Sequence, residues 1–306
     1  MDLRHVRAFV AAYEKRSLTA AAITIYATQP GLSAQIAALE AELRSKLFER
    51  HARGLQPTFA GERFYPLAVS ILHDVNHAVG TMQALSQSVA GAFSIGVPPT
   101  LSKAILAPVL TQFADAYPEV EIRIVEAYSG TLLALLESKD VDCAIVLRDA
   151  DHPEVRFTSI YNDRFVLVSG PKLGISHGVP VALDQEPRLK LVFPSLIRHG
   201  LHRLLEPELK KGRITPERFI EIDGLSGTLK FIEASDWAGL LPFAAVHDDV
   251  DEARLRVNPI EGEEIRIEYF VAQLATEFLL PAAQIFIDIA AGVLDKIKEK
   301  YQQSQR

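Results

Sequence analysis

Seven apolar residues, Phe64, Leu67, Ile71, Val75, Ala78, Met82 and Leu85, follow one another at three- and four-residue steps, and this run limits the fold more than any other feature. The spacing is that of one helix face. A helix from residue 58 to about 89 would reach about 45 Å at ~1.5 Å per residue, farther than one small domain can cover. Its seam calls for a second helix, most simply its own copy, so a homodimer formed through residues 59–90 is expected. The same helix divides the chain into a head, residues 1–58, and a body, residues 91–306. His73 and His77 lie one turn apart on it. A metal could use such a pair, but no third ligand is near in the sequence, so a solvated polar face is the simpler reading and no metal or cofactor is expected.

Charge divides the chain in the same place. The net charge of −7 argues, taken globally, against nucleic acid. Residues 1–65, however, hold nine Lys and Arg against six Asp and Glu, a net of +3, while the remainder holds 23 against 33, a net of −10. A basic head on an acidic body fits a nucleic-acid-binding module. No apolar run approaches the ~20 residues of a membrane span. The opening Met1-Asp2-Leu3-Arg4 lacks the apolar stretch of a secretory signal, so the expected location is cytoplasmic. Cys143 is the only cysteine, which excludes an internal disulfide; within Cys143-Ala144-Ile145-Val146-Leu147 it reads as a buried structural thiol.

In the head, Leu3, Val6, Val10 and Tyr13 share one face of a first helix. Ser17 caps a second, Leu18-Thr19-Ala20-Ala21-Ala22-Ile23, whose small residues let a neighbour pack closely. Thr28 caps a third, with Leu32, Ile36, Leu39 and Leu43 inward. The opposite face of that helix begins Gln29, Pro30, Ser33, Ala34, Gln35. Short polar groups at a helix start can meet base edges in a major groove, and the free N–H groups there can meet a phosphate; a solvated face of an ordinary bundle would look the same. The next segment, residues 47–58, reads as two very short strands around Arg53-Gly54, followed by Thr58 as a cap. Such a wing would present Arg50, His51 and Arg53 to phosphates.

These segments resemble the DNA-binding domain of the LysR-type transcriptional regulators. The resemblance runs through Asp2-Leu3-Arg4 and Phe9, Ser17-Leu18-Thr19-Ala20-Ala21-Ala22, Gln29-Pro30-Gly31-Leu32-Ser33-Ala34-Gln35-Ile36-Ala37-Ala38-Leu39-Glu40, Leu47-Phe48-Glu49-Arg50 and Pro57-Thr58-Phe59-Ala60-Gly61, without a gap over about 65 residues. It implies a winged helix-turn-helix in which Thr28, Gln29, Pro30, Ser33 and Gln35 belong to the recognition helix and Arg50 and Arg53 to the wing. Ala34 stands where the family often has a basic residue, and Thr28 where many members have serine.

Beyond Gly91 strands alternate with helices: strand 93–97, helix 102–117, strand 122–126, helix 131–138, strand 143–147. A second set follows with strand 164–169, strand 189–193, a helix near 202–210, strand 219–223, a helix near 228–234 and strand 239–242; strand 266–272 and helix 281–300 complete the chain. The alternation is that of a parallel α/β sheet. A chain that leaves one lobe near Tyr161 and returns near Ile267 makes two lobes, 91–161 with 268–306 and 162–267, around a cleft. In open α/β sheets ligands bind beyond the carboxyl ends of strands. Those positions here carry Thr100 and Ser102, Ser129 and Thr131, Ser195, and Ser226. They suit a small anion, or each is simply a helix cap. Arg198, His199, His202 and Arg203 add positive charge that either faces the cleft or lies on the surface.

This body resembles the LysR effector-binding domain, which has a periplasmic-binding-protein-like fold. Gly96-Val97-Pro98, Leu106-Ala107-Pro108, Ser129-Gly130-Thr131-Leu132-Leu133, Phe193-Pro194-Ser195, His199-Gly200-Leu201-His202-Arg203-Leu204-Leu205-Glu206 and Glu221-Ile222-Asp223 resemble the branch that includes the nitrogen assimilation control regulator. The stretch Glu233-Ala234-Ser235-Asp236-Trp237-Ala238-Gly239 departs from the small-residue turn usual there, which leaves the pocket shape around Trp237 open. The family resemblance implies binding to double-stranded promoter DNA, a small-molecule co-inducer, a homotetramer built as a dimer of dimers, and RNA polymerase as a partner. An enzyme is disfavoured, because no Gly-x-Ser-x-Gly elbow, phosphate loop, His-Glu-x-x-His or dinucleotide fingerprint occurs. A plain solute-binding protein is opposed by the DNA-binding head.

Overall fold

The computed structural model describes residues 1–51, 54–84, 89–148, 152–185, 188–194, 200–251 and 254–304. The chain forms two compact units, residues 1–87 with 137–140 and residues 88–136 with 141–306.

The first unit opens with α1 (Leu3–Lys15), α2 (Leu18–Thr24) and α3 (Gln29–Leu43). Each start is fixed by a side-chain cap: Asp2 accepts from Arg4 N at 2.8 Å, Ser17 from Ala20 N at 3.3 Å and Thr28 from Gly31 N at 3.3 Å. Two antiparallel strands follow, β1 (Phe48–His51) and β2 (Gly54–Pro57), with His51 opposite Gly54. The long helix α4 then covers Phe59–Ala84. Its expected continuation through Leu85 lies outside the described residues.

Phe9 organises the core of this unit. Its ring centre lies 5.3 Å from that of Phe48 and 5.1 Å from that of Phe64, so α1, the wing and α4 meet on one residue. The inward face of α1 is therefore centred on Val6 and Phe9, while Leu3, at the end of the face that the spacing marks, is exposed and Val10 and Tyr13 are only partly covered. In α3, Leu32, Ile36 and Leu39 are buried as the spacing requires, but Leu43 is exposed, because the helix ends in a left-handed residue at Arg44 and its last turn runs past the packed stripe. Along α4, Ala68 is buried whereas Leu67 and Met82 of the seam remain more than half exposed.

The second unit contains β3 (Gly91–Val97), α5 (Pro99–Ala116), β4 (Val120–Glu126), α6 (Ser129–Glu137), β5 (Cys143–Leu147), β6 (Val155–Ser169), β7 (Lys190–Phe193), α7 (Gly200–Lys210), β8 (Arg218–Glu221), α8 (Leu225–Ala234), β9 (Ala238–Pro242), α9 (His247–Asp251), β10 (Arg256–Asn258), β11 (Arg266–Leu274) and α10 (Pro281–Ser304). The strands run in the order β4-β3-β5-β11-β6-β9-β7-β8, with β10 paired to β6. The pattern alone suggested a parallel sheet. Only the two ends, β4-β3-β5 and β9-β7-β8, are parallel; β11 and β6 between them run antiparallel to each other and to their outer neighbours. The single strand β6 serves both ends, pairing with β11 through residues 155–164 and with β9 through 165–169. Its first half alternates buried and exposed side chains, and so lacks the continuous apolar run that marked 164–169.

Where β6 changes partner, Asp163 is buried and accepts backbone N–H groups from Arg164 at 2.8 Å and Ala244 at 3.0 Å. Burial, only partly offset by those donors, pushes its carboxyl up to about 6. The folded value exceeds the unfolded value of about 4, so the stabilising share is complete below about pH 4 and is lost as pH rises through about 6. Between pH 7 and pH 5 this group is expected to add about 1 kcal/mol to the stability of the second unit. Trp237, the only tryptophan, reports on that unit in urea denaturation. An Asp163→Asn chain with the same pH slope as the parent would contradict the assignment.

Candidate recognition face and candidate effector cavity

In the first unit Thr28, Gln29 and Pro30 are exposed at the start of α3, and Ser33 is half-buried one turn on. Gln35 differs: its side-chain oxygen is shielded from solvent and has no hydrogen-bond partner among the described residues. Arg50 has its backbone in β1 opposite Leu55, its side chain lies outside the description, and Arg53 falls outside the described residues altogether.

The wing is tied to α3 by a residue that stripe and cap reasoning passed over. Glu40 is buried, and its Oε1 accepts the N–H groups of Leu47 at 2.8 Å and Phe48 at 3.2 Å while Oε2 meets Lys46 Nζ at 2.7 Å. Burial works against its charge, but the Lys46 ammonium and the two N–H groups outweigh it and hold the carboxyl below its ordinary value. On the other side, the Thr58 hydroxyl donates to Lys46 O at 2.6 Å and accepts Gly61 N–H at 3.1 Å.

The second unit holds a cavity of about 600 Å³ lined by the starts of α5 and α8, the loop before α6, and the α9 region. Ser102 and Ser226 line it as expected. Neither is a helix cap, because α5 is capped by Pro98 and α8 by Gly224, both without a side-chain bond. Thr100 lines a smaller adjoining cavity, with its hydroxyl 3.2 Å from that of Tyr269. Ser129 and Thr131 are not brought to either cavity. The Ser129 hydroxyl accepts from Leu147 N at 2.9 Å, and Thr131, in the same first turn of α6, is exposed to solvent. Ser195, Arg198 and His199 lie outside the described residues; His202 is buried within α7 and Arg203 is exposed. The hydroxyl of Tyr128 donates to the carbonyl of Asp223, joining the loop before α6 to the loop before α8.

Charged groups missed in the sequence dominate one wall. Lys103 Nζ lies 2.7 Å, and an Arg254 Nη 2.8 Å, from Asp249, which is only 5% exposed. On α8, Lys230 pairs with Glu233 at 3.0 Å.

A family model for the LysR substrate binding domain matches residues 86–295, and one for the bacterial regulatory helix-turn-helix protein, lysR family, matches residues 3–62. The chain belongs to the LysR family.

As a LysR regulator it is a DNA-binding transcription factor with an effector-binding domain, in a family of regulators rather than enzymes. It is 30% identical over 249 residues to the transcriptional regulator BenM of Acinetobacter baylyi, covering 79% of this chain and 80% of that one. It is 27% identical over 284 residues to the nitrogen assimilation regulatory protein nac of Escherichia coli (strain K12), covering 92% and 89%. Nac stands for the branch whose motifs the sequence resembles. The probable transcriptional regulator PA0477 from Pseudomonas aeruginosa has the same fold, with a TM-score of 0.71 at 20% identity over 95% of this chain and 97% of that one. Among the described residues, no helix of this LysR regulator is long and apolar enough to cross a membrane, and no cluster of metal-ligating side chains occurs. Trp237 lines neither cavity: its ring packs on Phe231 at 5.8 Å, with Lys190 Nζ at 5.9 Å and the Arg218 guanidinium at 5.8 Å.

Proposed function

We propose that this LysR regulator reads promoter DNA with the start of α3 and responds to a small anion held between the two ends of its sheet. Thr28, Gln29, Pro30 and Ser33 face base edges and phosphates, and Arg50 and Arg53 extend from the wing to the backbone. Gln35 lies on the same helix, with its side-chain oxygen shielded from solvent. Ser102 and Ser226 supply hydroxyls to the effector, with Thr100 at the edge of the site. Ser195 and His199, which lie outside the described residues, are assigned to the effector by this proposal. The lobes are residues 91–161 with 268–306 and residues 162–267, hinged where β6 and β11 run side by side. The exposed seam of α4 pairs with its copy, two dimers form a tetramer, and RNA polymerase is the downstream partner in the cytoplasm. The effector acts by unequal affinity for two assemblies that space the DNA contacts differently.

The observation that carries this reading is the cavity, which is formed by helix starts from both ends of the sheet in a chain whose head matches a family of DNA-binding domains. The test is a salt-dependent titration of duplex DNA. Arg53→Ala is expected to weaken binding to every sequence and to shallow the salt slope by about one, whereas Gln29→Ala mainly relaxes discrimination between sites. Equal loss on all duplexes for Gln29→Ala would remove it from base reading.

A further inference from the structure

An unusual residue closes the turn between α2 and α3. Past the end of α2, Ala27 N–H donates to Ala22 O at 2.8 Å and Tyr26 N–H donates to Ile23 O at 3.2 Å. This pair of bonds needs a left-handed residue at position 26, where glycine is the usual one. Tyr26 takes that conformation, with φ 54°. A bulky side chain there costs stability. Among the described residues, the other non-glycine residues with positive φ are Arg16, Arg44 and Lys139. Each stands within two residues of a helix end, as Tyr26 does, but each is a cation, which the negative end of a helix attracts. Tyr26 has no such compensation.

Packing within the head does not offset the strain either. Tyr26 is fully exposed, and its ring takes no part in the hydrophobic core of the head. Ile23, one turn earlier on α2, is 73% exposed, so an apolar edge stands open beside the start of α3. Thr28, which caps α3, is two residues farther on, at most about 7 Å along the chain. Thr28, Gln29 and Pro30 are themselves exposed, and the whole stretch falls within residues 3–62, which match the helix-turn-helix family. The ring therefore stands at the rim of the face assigned to the duplex. A strained side chain with nothing to hold in its own chain points to a partner outside it.

We propose that Tyr26 is a contact to the DNA backbone: its hydroxyl donates to a phosphate oxygen beside the groove that α3 enters, and its ring packs, with Ile23, on the adjoining sugar. This rests on the recognition reading given above and adds a residue to it. Backbone rather than base edge follows from position, because the turn precedes the helix that enters the groove and its side chains meet the groove's rim. A phenol is a neutral donor. It grips a phosphate without releasing a counterion, so unlike Arg53 it adds affinity without adding to the salt slope.

The test titrates the full chain with two duplexes of unrelated sequence, by fluorescence anisotropy at several salt concentrations. Tyr26→Phe, which keeps the ring and the turn, is expected to weaken binding to both about fivefold and equally, with the salt slope unchanged. Tyr26→Gly is expected to weaken both about tenfold while slowing amide hydrogen exchange at Ala27, because glycine relaxes the turn that the Ala27 N–H closes. Were the tyrosine purely structural, relaxing the turn would leave binding intact. Wild-type affinity in Tyr26→Phe overturns the phosphate contact. Loss on one duplex only makes the residue a base reader, and a shallower salt slope assigns the loss to displaced cations; either result also rejects the proposal. Faster exchange at Ala27 in Tyr26→Gly rejects it too, by showing that the tyrosine supports the turn. A wild-type chain with no salt-dependent affinity for either duplex would instead sink the recognition reading itself, which none of the Tyr26 results touches.

Discussion

Replacing Glu40 with alanine is expected to cost the head about 3 kcal/mol, because the Leu47 and Phe48 N–H groups are both buried and each would lose its only acceptor on that side, at about 1–3 kcal/mol apiece. The ion pair contributes little to that figure, since Lys46 is largely exposed. The consequence reaches DNA through geometry. Residues 46–48 form the base of the wing, held on one side by Glu40 and on the other by Thr58, whose own N–H donates to Leu47 O at 3.0 Å. The approach of α4 to this strand is close enough that a Cβ on Gly61 would stand 2.2 Å from Leu47 O. With one staple removed, the wing is free to pivot about the other. Duplex affinity is expected to fall about tenfold as the wing's phosphate contacts lose their register, and Glu40→Gln, which keeps an oxygen for both N–H groups, should lose much less. Urea denaturation and fluorescence anisotropy on a mixed-sequence duplex measure the two effects. If Glu40 acts through the wing, its loss and that of Arg53→Ala will be less than additive; strict additivity would leave Glu40 a purely structural residue.

The readings that succeeded were those whose physics is local. Ser17, Thr28 and Thr58 were recognisable as caps because a cap needs only the three residues that follow it. The wing strands stood out because turn residues interrupt a short alternation. Strand and helix limits in the second unit fell within a few residues of the observed ones, apart from β6 and the short elements α9 and β10. What escaped depends on partners distant in the sequence. Glu40 stands beside the apolar stripe of α3 and makes sense only once Leu47 and Phe48 fold back onto it. Asp249 has its meaning from Lys103, 146 residues away, within a segment that carries no periodicity. Ser129 and Thr131 show a different limit: the sequence placed hydroxyls at a helix start, but the direction of each depends on which side of that first turn faces β5. The antiparallel middle of the sheet was hidden because a strand that joins the two ends of one sheet need not be apolar along its whole length.

Gly170→Ala is expected to be among the most damaging single changes in the second unit, at about 3 kcal/mol or more. The reason is not backbone freedom, since Gly170 has φ −81° and ψ 170°, which any residue can adopt. An added Cβ would instead lie 2.4 Å from Ile232 O and 2.7 Å from Glu233 O, backbone atoms in the last turn of α8 that cannot rotate aside. Either the end of β6 or the helix must move. Because α8 carries Ser226, Leu229, Lys230 and Glu233 into the cavity wall, a shifted helix changes the cleft as well as the core. Duplex binding should be retained, since the head has its own hydrophobic core. Gly239→Ala provides a matched comparison: its Cβ would meet Ile232 Cδ1 at 2.7 Å, the tip of a side chain that can change rotamer, so a smaller loss of about 1 kcal/mol is expected. Denaturation followed by Trp237 fluorescence orders the two variants. Should Gly170→Ala unfold at the wild-type midpoint, the close approach of the end of β6 to the last turn of α8 would not be a packing constraint.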